Sequence, residues 1–535
     1  MGETRVELDR AAHTRPSVAR PRPLPSMPAS LICAVVLIGA LFALTGDIGL
    51  DLADEGFLWH GAQLTALGKV PLRDFQSYDP GRYYWGAAWS SVFGSGLMAL
   101  RLSNAIFQAL GLFCGLAVLR RVTPSIAVLA LMGAVLTVWM FPRHKLFESS
   151  LALMAVLFAV RLLERPTARR HLVAGIFVGL AAFFGRNHGL YCTLGFAAVI
   201  LFAHRDRPDG GLPAKATSWG AGVILGYGPM LLMLALVPGM WEAFVESLRL
   251  LGSRGTNVPR AIPWPWTLDY SMAFAGLAPN LVAGVGYVVM VVVYPVALVW
   301  ALRRRVDGDH AARAVLIASV CIGLPYTHHS WVRASPSHLA QSIQPLLLAI
   351  CAMAVLFGRK RPVLARTLTW GSLSISALLV AWGVHPELRT FGSLARRTLV
   401  EHEVAGDLLR IPESQARELE QLEAVVAKRV PVDESMFMAP FRVAYYPILG
   451  RVAPGWDLYM LWSASEEYQK SIVEMLEQGG VNWALIVDEF LLQRPDTAFT
   501  NSHRKVMRYF RRNFDPVLDP GLPDGHLLLR RRQAR

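Results

Sequence analysis

Between Gly46 and Trp85 the chain gathers Asp51, Asp54, Glu55, Arg73, Asp74, Asp79 and Arg82 among Phe, Trp and Tyr residues. A carboxylate such as Asp54 or Glu55, held where water meets an apolar layer, has the chemistry of a general base that takes a proton from an attacking hydroxyl. The same two acids also suit a solvated helix N-terminus, where the dipole favours them. Further charged groups lie far along the chain: Arg143, Lys145 and Glu148 in the run Pro142 to Glu148, Arg186 in Gly185 to Gly189, and Arg333 and His338 in His328 to Leu339. Cations of this kind provide the counter-charge for a phosphate or pyrophosphate and stabilise it as a leaving group. Snorkelling at an interface accounts for Arg143 and Lys145 equally well, and a tight glycine turn accounts for Gly185 to Gly189. His328, His329 and His338 invite zinc but lack a recognised ligand spacing.

The elements that must position these groups are membrane-spanning. Of 535 residues, 53% are hydrophobic and 17% charged, and the mean hydropathy is +0.37; soluble domains lie nearer about a quarter charged. The formal charge of +14 sits in short basic clusters between apolar runs, which membrane topology explains without nucleic acid as a partner. All five cysteines fall within apolar runs and behave as small buried hydrophobes.

Apolar runs occur at 29–46, 101–119, 124–141, 147–163, 171–185, 189–204, 218–237, 277–302, 312–326, 338–357 and 364–384, giving about eleven expected spans. The Arg- and Pro-rich residues 1–28 are expected to form a disordered cytoplasmic tail, and run 29–46 an uncleaved first span. Basic clusters at Arg120-Arg121, Arg165 with Arg169-Arg170, Arg205 with Arg207, Arg303-Arg304-Arg305 and Arg359-Lys360-Arg361 mark the cytoplasmic side. An odd number of spans then puts the segment after 385 outside. That segment alternates a charged helix (Arg396 to Lys428), a strand (Ser435 to Ala439), a helix (Glu466 to Gln478), a strand (Val481 to Val487), a basic helix (His503 to Phe510) and a strand (Gly525 to Leu529). Such alternation predicts a small α/β module over 385–535. In the loop, Phe57, Leu64 and Leu67 share one side of a helix over 54–68, which predicts a segment lying in the interface plane. The segment Pro238 to Leu277 predicts another interfacial helix, or a lid.

A first span is followed by Asp54-Glu55-Gly56, the stretch AQLTALGK, Val70-Pro71-Leu72-Arg73-Asp74-Phe75 and Tyr78-Asp79-Pro80-Gly81-Arg82-Tyr83-Tyr84. This pattern resembles the first outer loop of GT-C membrane glycosyltransferases, in particular bacterial relatives of the dolichyl-phosphate-mannose protein mannosyltransferases and the lipid A aminoarabinose transferase. Leu72, Arg73 and Pro80-Gly81 depart mildly from that pattern, and Glu148 stands where an aspartate is more usual. The resemblance implies a GT-C-like domain over 29–384 with its catalytic outer loop at 47–100. It implies inverting transfer of a sugar from a polyprenyl-phosphate carrier to an envelope acceptor, at the outer face of a bacterial-type cytoplasmic membrane. It carries over Asp54 and Glu55 as the catalytic pair, and Asp74, Arg82, Tyr83, Arg143, Lys145, Glu148, Arg186, Arg333 and His338 as substrate-binding. A divalent metal ion is left open, because two hard-oxygen ligands are too few to argue one.

Two other classes compete. A transporter or flippase of a lipid-linked sugar would place its polar groups near the bilayer midplane in paired broken helices, whereas here they gather at the ends of apolar runs. A non-catalytic assembly protein would use the C-terminal module for binding.

Overall fold

Each apolar run is helical over most of its length in the computed structural model, which describes residues 27–123, 125–206, 211–254, 259–303, 309–358, 361–393, 398–491 and 494–533. Six helices are long and apolar enough to cross a bilayer: Met27–Thr45, Leu97–Leu119, Arg143–Glu164, Phe274–Leu302, His310–Trp331 and Pro362–Gly383. Leu212–Gly226 and Gly228–Leu236, bent by 53° at their junction, make a seventh if taken as one span. Ile126–Val138 and Gln344–Phe357 are apolar but have only 13 and 14 residues, short of the ~17 needed for the hydrocarbon layer. The chain is a multi-pass membrane protein; among the described residues six helices, or seven with the bent pair, meet that length and composition, where about eleven spans were expected. The tail expected at 1–28 lies outside the described residues as far as position 26, as do Arg207, Arg304, Arg305, Arg359 and Lys360 of the basic clusters.

Small residues decide which helices touch. In lipid there is no hydrophobic drive between apolar helices, so close backbone approach at small residues provides the attraction. The central helix Leu146–Glu164 buries Ser149, Ser150, Ala152, Ala155 and Ala159. Gly111 of Leu97–Leu119 meets it so closely that a Cβ there would lie 2.5 Å from the Cβ of Ser150. Gly175 and Gly179 of Ala168–Phe184 face Gly222 and Gly226 of Leu212–Gly226 in the same way, with Cβ-to-backbone approaches of 2.0 to 2.3 Å. No larger residue fits at these positions without moving a helix.

The C-terminal module has two sheets. An antiparallel hairpin joins β1 (Leu399–Val404) to β2 (Asp407–Pro412). Ala405 and Gly406 turn between them with φ of 47° and 88°, the left-handed pair that matches strand twist. The remaining strands are β3 (Met436–Ala439), β4 (Trp483–Val487), β5 (Phe514–Pro516) and β6 (His526–Arg531), in spatial order β3-β4-β6-β5. β3 and β4 run parallel, with Met436 opposite Trp483, and helix Glu466–Gln478 lies between them in the chain. β4, buried at every residue, pairs antiparallel with β6. The charged helix expected at Arg396 to Lys428 differs: the hairpin takes 399–412 and the helix is Glu413–Arg429. Exposed Glu401 and Glu403 alternate with the more covered Val400, His402 and Val404, the two-residue period of a strand, and positions 394–397 lie outside the described residues.

The module sits on the loop that follows the first helix, and main-chain hydrogen bonds hold it there. Gly49 N–H donates to Arg410 O at 2.9 Å, Arg410 N–H to Asp47 O at 2.8 Å and Ala444 N–H to Leu52 O at 3.0 Å. The Arg410 guanidinium also pairs with Asp47 at 2.6 Å. Gln76 accepts from the N–H groups of Leu458 (3.0 Å) and Tyr459 (2.7 Å) and donates its own N–H to Trp456 O (2.7 Å). This docking changes the place of helix Asp54–Ala66. It is buried at ten of its thirteen residues rather than lying in an interface plane. Gly56 admits Ala444, whose nitrogen would lie 2.3 Å from a Cβ, and Gly61 admits the ring of Tyr83 at the same distance.

Candidate active site

Successive side chains on a helix diverge by about 100°, and Asp54 and Glu55 therefore serve different surroundings. Asp51 caps the helix start, its Oδ1 accepting from the N–H groups of Ala53 (2.9 Å) and Asp54 (3.0 Å). Glu55 turns inward. Arg101 donates to both of its oxygens (2.9 and 2.8 Å), and Arg143 pairs with Oε1 at 2.8 Å. Only 2% of the Glu55 side chain is exposed. Burial opposes its ionisation, but the charges of Arg101 and Arg143 outweigh burial and hold the carboxyl at about 2, below its ordinary 4.5. Arg143 reaches on to Glu387 at 3.6 Å and to the carbonyl oxygens of Thr45, Ile48 and Gly49.

Asp54 turns the other way and stays 38% exposed. Its Oδ1 accepts from the Tyr459 hydroxyl at 3.1 Å, and its Oδ2 lies 3.6 Å from His144 Nε2. Desolvation works against its charge, but the His144 hydrogen bond and the neighbouring Lys145 prevail, and the carboxyl titrates below the usual aspartate range. The 3-10 turn Arg143–Lys145 thus sends three consecutive bases in three directions: Arg143 to Glu55, His144 to Asp54, and Lys145 to the Tyr78 hydroxyl and, at 3.9 Å, the Tyr78 ring. Tyr78 is held in turn, its N–H donating to the Tyr83 hydroxyl at 3.0 Å.

The other expected site residues fall into separate clusters. Arg82 and Glu148 form a buried pair at 2.6 Å, and Arg82 also donates to Phe184 O at 2.7 Å. The second oxygen of Glu148 is buried without a hydrogen-bond partner among the described residues. Arg186 pairs with Asp79 at 2.7 Å and donates to Ser247 at 2.8 Å, beside the ring of Phe244. His338 stacks on His329 with ring centroids 5.6 Å apart, and its Nδ1 meets Ser335 Oγ at 2.9 Å. Burial, then the positive surroundings of His329, Arg333 and Lys145, push His338 down to about 3, so it is neutral at pH 7; Asp54 acts on it weakly in the opposite sense. Asp74 stands apart, held by Val70 N–H at 2.7 Å and by Arg73 at 2.8 Å.

Asp51, Tyr78, Asp79, Arg101, His144 and Tyr459 complete the arrangement, and none was given a role from the sequence. Arg101 carried a signal, since an ionisable residue at the head of an apolar run needs a partner. Tyr459 carried none, being 405 positions from Asp54 in the chain. Asp51, Asp54 and His144 each offer one donor atom, all within 4.8 Å of one another, a carboxylate and imidazole set that suits a divalent transition metal.

No family model matches the chain, and no curated protein matches it closely. Among solved structures it is similar to ArnT from Cupriavidus metallidurans bound to undecaprenyl phosphate, with 13% identity over 94% of this chain and 98% of that one, at a TM-score of 0.56. It is also similar to the same ArnT in the apo state (12% identity, 94% and 96% covered, TM-score 0.46). The oligosaccharyltransferase AglB from Archaeoglobus fulgidus, in complex with an inhibitory peptide and a dolichol-phosphate, shows 12% identity over 95% of this chain and 74% of that one, at a TM-score of 0.46. The fold assignment rests on the first of these alone: the chain has a GT-C-type membrane fold.

Proposed function

We propose that the protein is an inverting glycosyltransferase that moves a sugar from a polyprenyl-phosphate carrier to an envelope acceptor at the outer face of the cytoplasmic membrane. One observation carries this reading: Asp54 stays 38% exposed between His144 and Tyr459, with Lys145 beside it and Asp51 on the other nitrogen of the same imidazole, while the neighbouring Glu55 is buried against arginines. The undecaprenyl phosphate held by the structurally similar ArnT supports the class of donor. In this reading eleven helical runs cross the membrane, residues 29–384 form the membrane domain, and 385–535 lie outside.

In the proposed reaction the acceptor nucleophile attacks the anomeric carbon from the side opposite the phosphate. The new glycosidic bond forms as the bond from carbon to phosphate oxygen breaks, and the phosphate departs on its carrier with the bonding pair. Asp54 accepts the hydrogen bond of the nucleophile and then its proton. A strongly acidic carboxyl is a weak base, yet it suffices here, because the attacking oxygen becomes acidic as it bonds to an oxocarbenium-like centre. Lys145, beside Asp54, faces the charge that develops on the phosphate. Tyr78 fixes Lys145, and His144 and Tyr459 fix Asp54. A divalent cation held by Asp51, Asp54 and His144 would add Lewis-acid charge at the same place.

The rival transport reading gains no support, since the charged groups gather at helix ends and in the loop rather than along a broken-helix midplane. The test is transfer from a short-chain polyprenyl-phosphate sugar by purified protein in nanodiscs. Asp54→Asn should abolish transfer at unchanged melting temperature, and Lys145→Met should depress it; wild-type transfer by Asp54→Asn sinks the proposal.

A further inference from the structure

A cavity of about 300 Å³ opens between helix Met240–Arg254 and the C-terminal module, with one end of the catalytic loop at its edge. We infer that this cavity is the acceptor site and that the acceptor it takes presents a carbohydrate; the word acceptor rests on the transferase reading, whereas the sugar-binding chemistry does not.

The position comes first. Trp456 and Asp457 wall the cavity, and Tyr459, two residues on, donates to Asp54. The Trp456 indole N–H donates to Leu72 O at 2.8 Å, fixing that wall to the loop that carries Asp54. On the far wall Ser247 accepts from Arg186, which pairs with Asp79. The cavity thus shares two of its supports with the reacting centre.

The chemistry follows from what the walls hold in place. Tyr468 donates to Asp457, its hydroxyl lying 2.7 Å from each carboxylate oxygen, so the acid is set in one orientation. Arg73 is anchored by Asp74 and by Pro238 O. Glu246 adds a second carboxylate, and aliphatic side chains from both walls line the space between. A cationic ligand would meet Arg73, and an anionic one would meet Asp457 and Glu246. A wholly apolar ligand would strip solvent from these charged groups and give them no hydrogen bond in return, at a desolvation cost. A sugar ring satisfies them together: its hydroxyls both donate to the carboxylates and accept from Arg73 and Ser247, and its C–H face lies against Trp456 or Tyr468.

The experiment is binding of the full-length protein in nanodiscs to an array of neutral and amino-sugar oligosaccharides. Wild-type protein and Asp54→Asn are expected to bind the same glycans. Asp457→Asn, and Ser471→Trp placed on the exposed rim to fill the space, are expected to lower affinity about tenfold or more. Failure of the wild type to bind any arrayed glycan overturns the inference, and so does binding that survives both substitutions. Failure of the transferase reading looks different: the wild-type protein would then transfer no sugar, while it still binds glycans and loses them on Asp457→Asn and Ser471→Trp.

Discussion

Glu55→Gln is the substitution that most directly separates anchoring from reaction. Glu55 and Arg101 are each 2% exposed and Arg143 17%. Removing the carboxylate charge leaves Arg101 with neutral acceptors in contact, the carbonyl oxygens of Gly46 and Gly49 and the new amide oxygen, so its charge loses its direct ion-pair partner. Breaking a buried pair from one side costs roughly 3–5 kcal/mol, because the remaining charge stays desolvated. Linkage leads to a similar figure: a folded value of about 2 against an ordinary 4.5 is equivalent to ~3 kcal/mol. The sign is that of a depressed carboxylate. Its contribution is complete above the unfolded value and is lost as pH falls from 4.5 toward about 2. Thermal unfolding in nanodiscs, followed by tryptophan fluorescence, should show Glu55→Gln melting several degrees below wild type at neutral pH, with the gap closing on acidification. If Glu55→Gln melts with the wild type at neutral pH and yet transfers no sugar, Glu55 is a reacting group and the electrostatic argument fails.

His144→Gln removes the hydrogen bond that helps hold Asp54 ionised. The acid limb of kcat/KM, set by protonation of Asp54 as pH falls, should therefore move upward toward its ordinary 3.8; an unmoved limb counts against Asp54 as the base. Glu148→Gln strands Arg82, the pair being 4% exposed on both sides, and should cost roughly 3–5 kcal/mol in unfolding measurements. The double variant Arg82→Met/Glu148→Leu should recover most of that loss, and a double variant no better than the single one refutes the explanation. Gly56→Val drives a side chain into Ala444, an overpacking of about 1–3 kcal/mol. It should loosen the C-terminal module, seen as faster protease cleavage near 385–412 and lower transfer, with Gly56→Ala milder in both.

Local pattern told where the helices lie and which loop matters, because apolar runs and the Asp54-Glu55-Gly56 segment are written in adjacent residues. It misled where tertiary packing overrides composition. Helix Asp54–Ala66 looked interfacial, but the partners that bury it, Ala444 and Tyr446, come from the C-terminal module, with Tyr446 stacked on His60. Hydropathy alone does not separate long crossing helices from short ones such as Ile126–Val138, which has the composition of a span but only 13 residues. Site residues were legible as charges but not as pairs: nothing local says that Arg143 belongs to Glu55, Arg82 to Glu148 and Arg186 to Asp79. Those pairings span dozens of residues and are decided by which helix ends meet.

The pairings nevertheless explain why one acid among many is poised to react. Glu55, Glu148 and Asp79 each have a guanidinium within hydrogen-bond reach, and each of those arginines also reaches a carbonyl, carboxylate or hydroxyl elsewhere in the fold. Arg is the residue for such rigid forked contacts, since its charge persists when buried. Asp54, with Asp51 beside the same imidazole, is matched instead with groups whose bonding can rearrange: an imidazole, a phenol and, nearby, an ammonium. Lys offers a mobile point charge that a phosphate can claim, and a phenol hydroxyl can turn from the carboxylate to an incoming nucleophile. The guanidinium pairs thus hold the helix ends in register, and the softer partners leave one carboxylate free to exchange them for substrate.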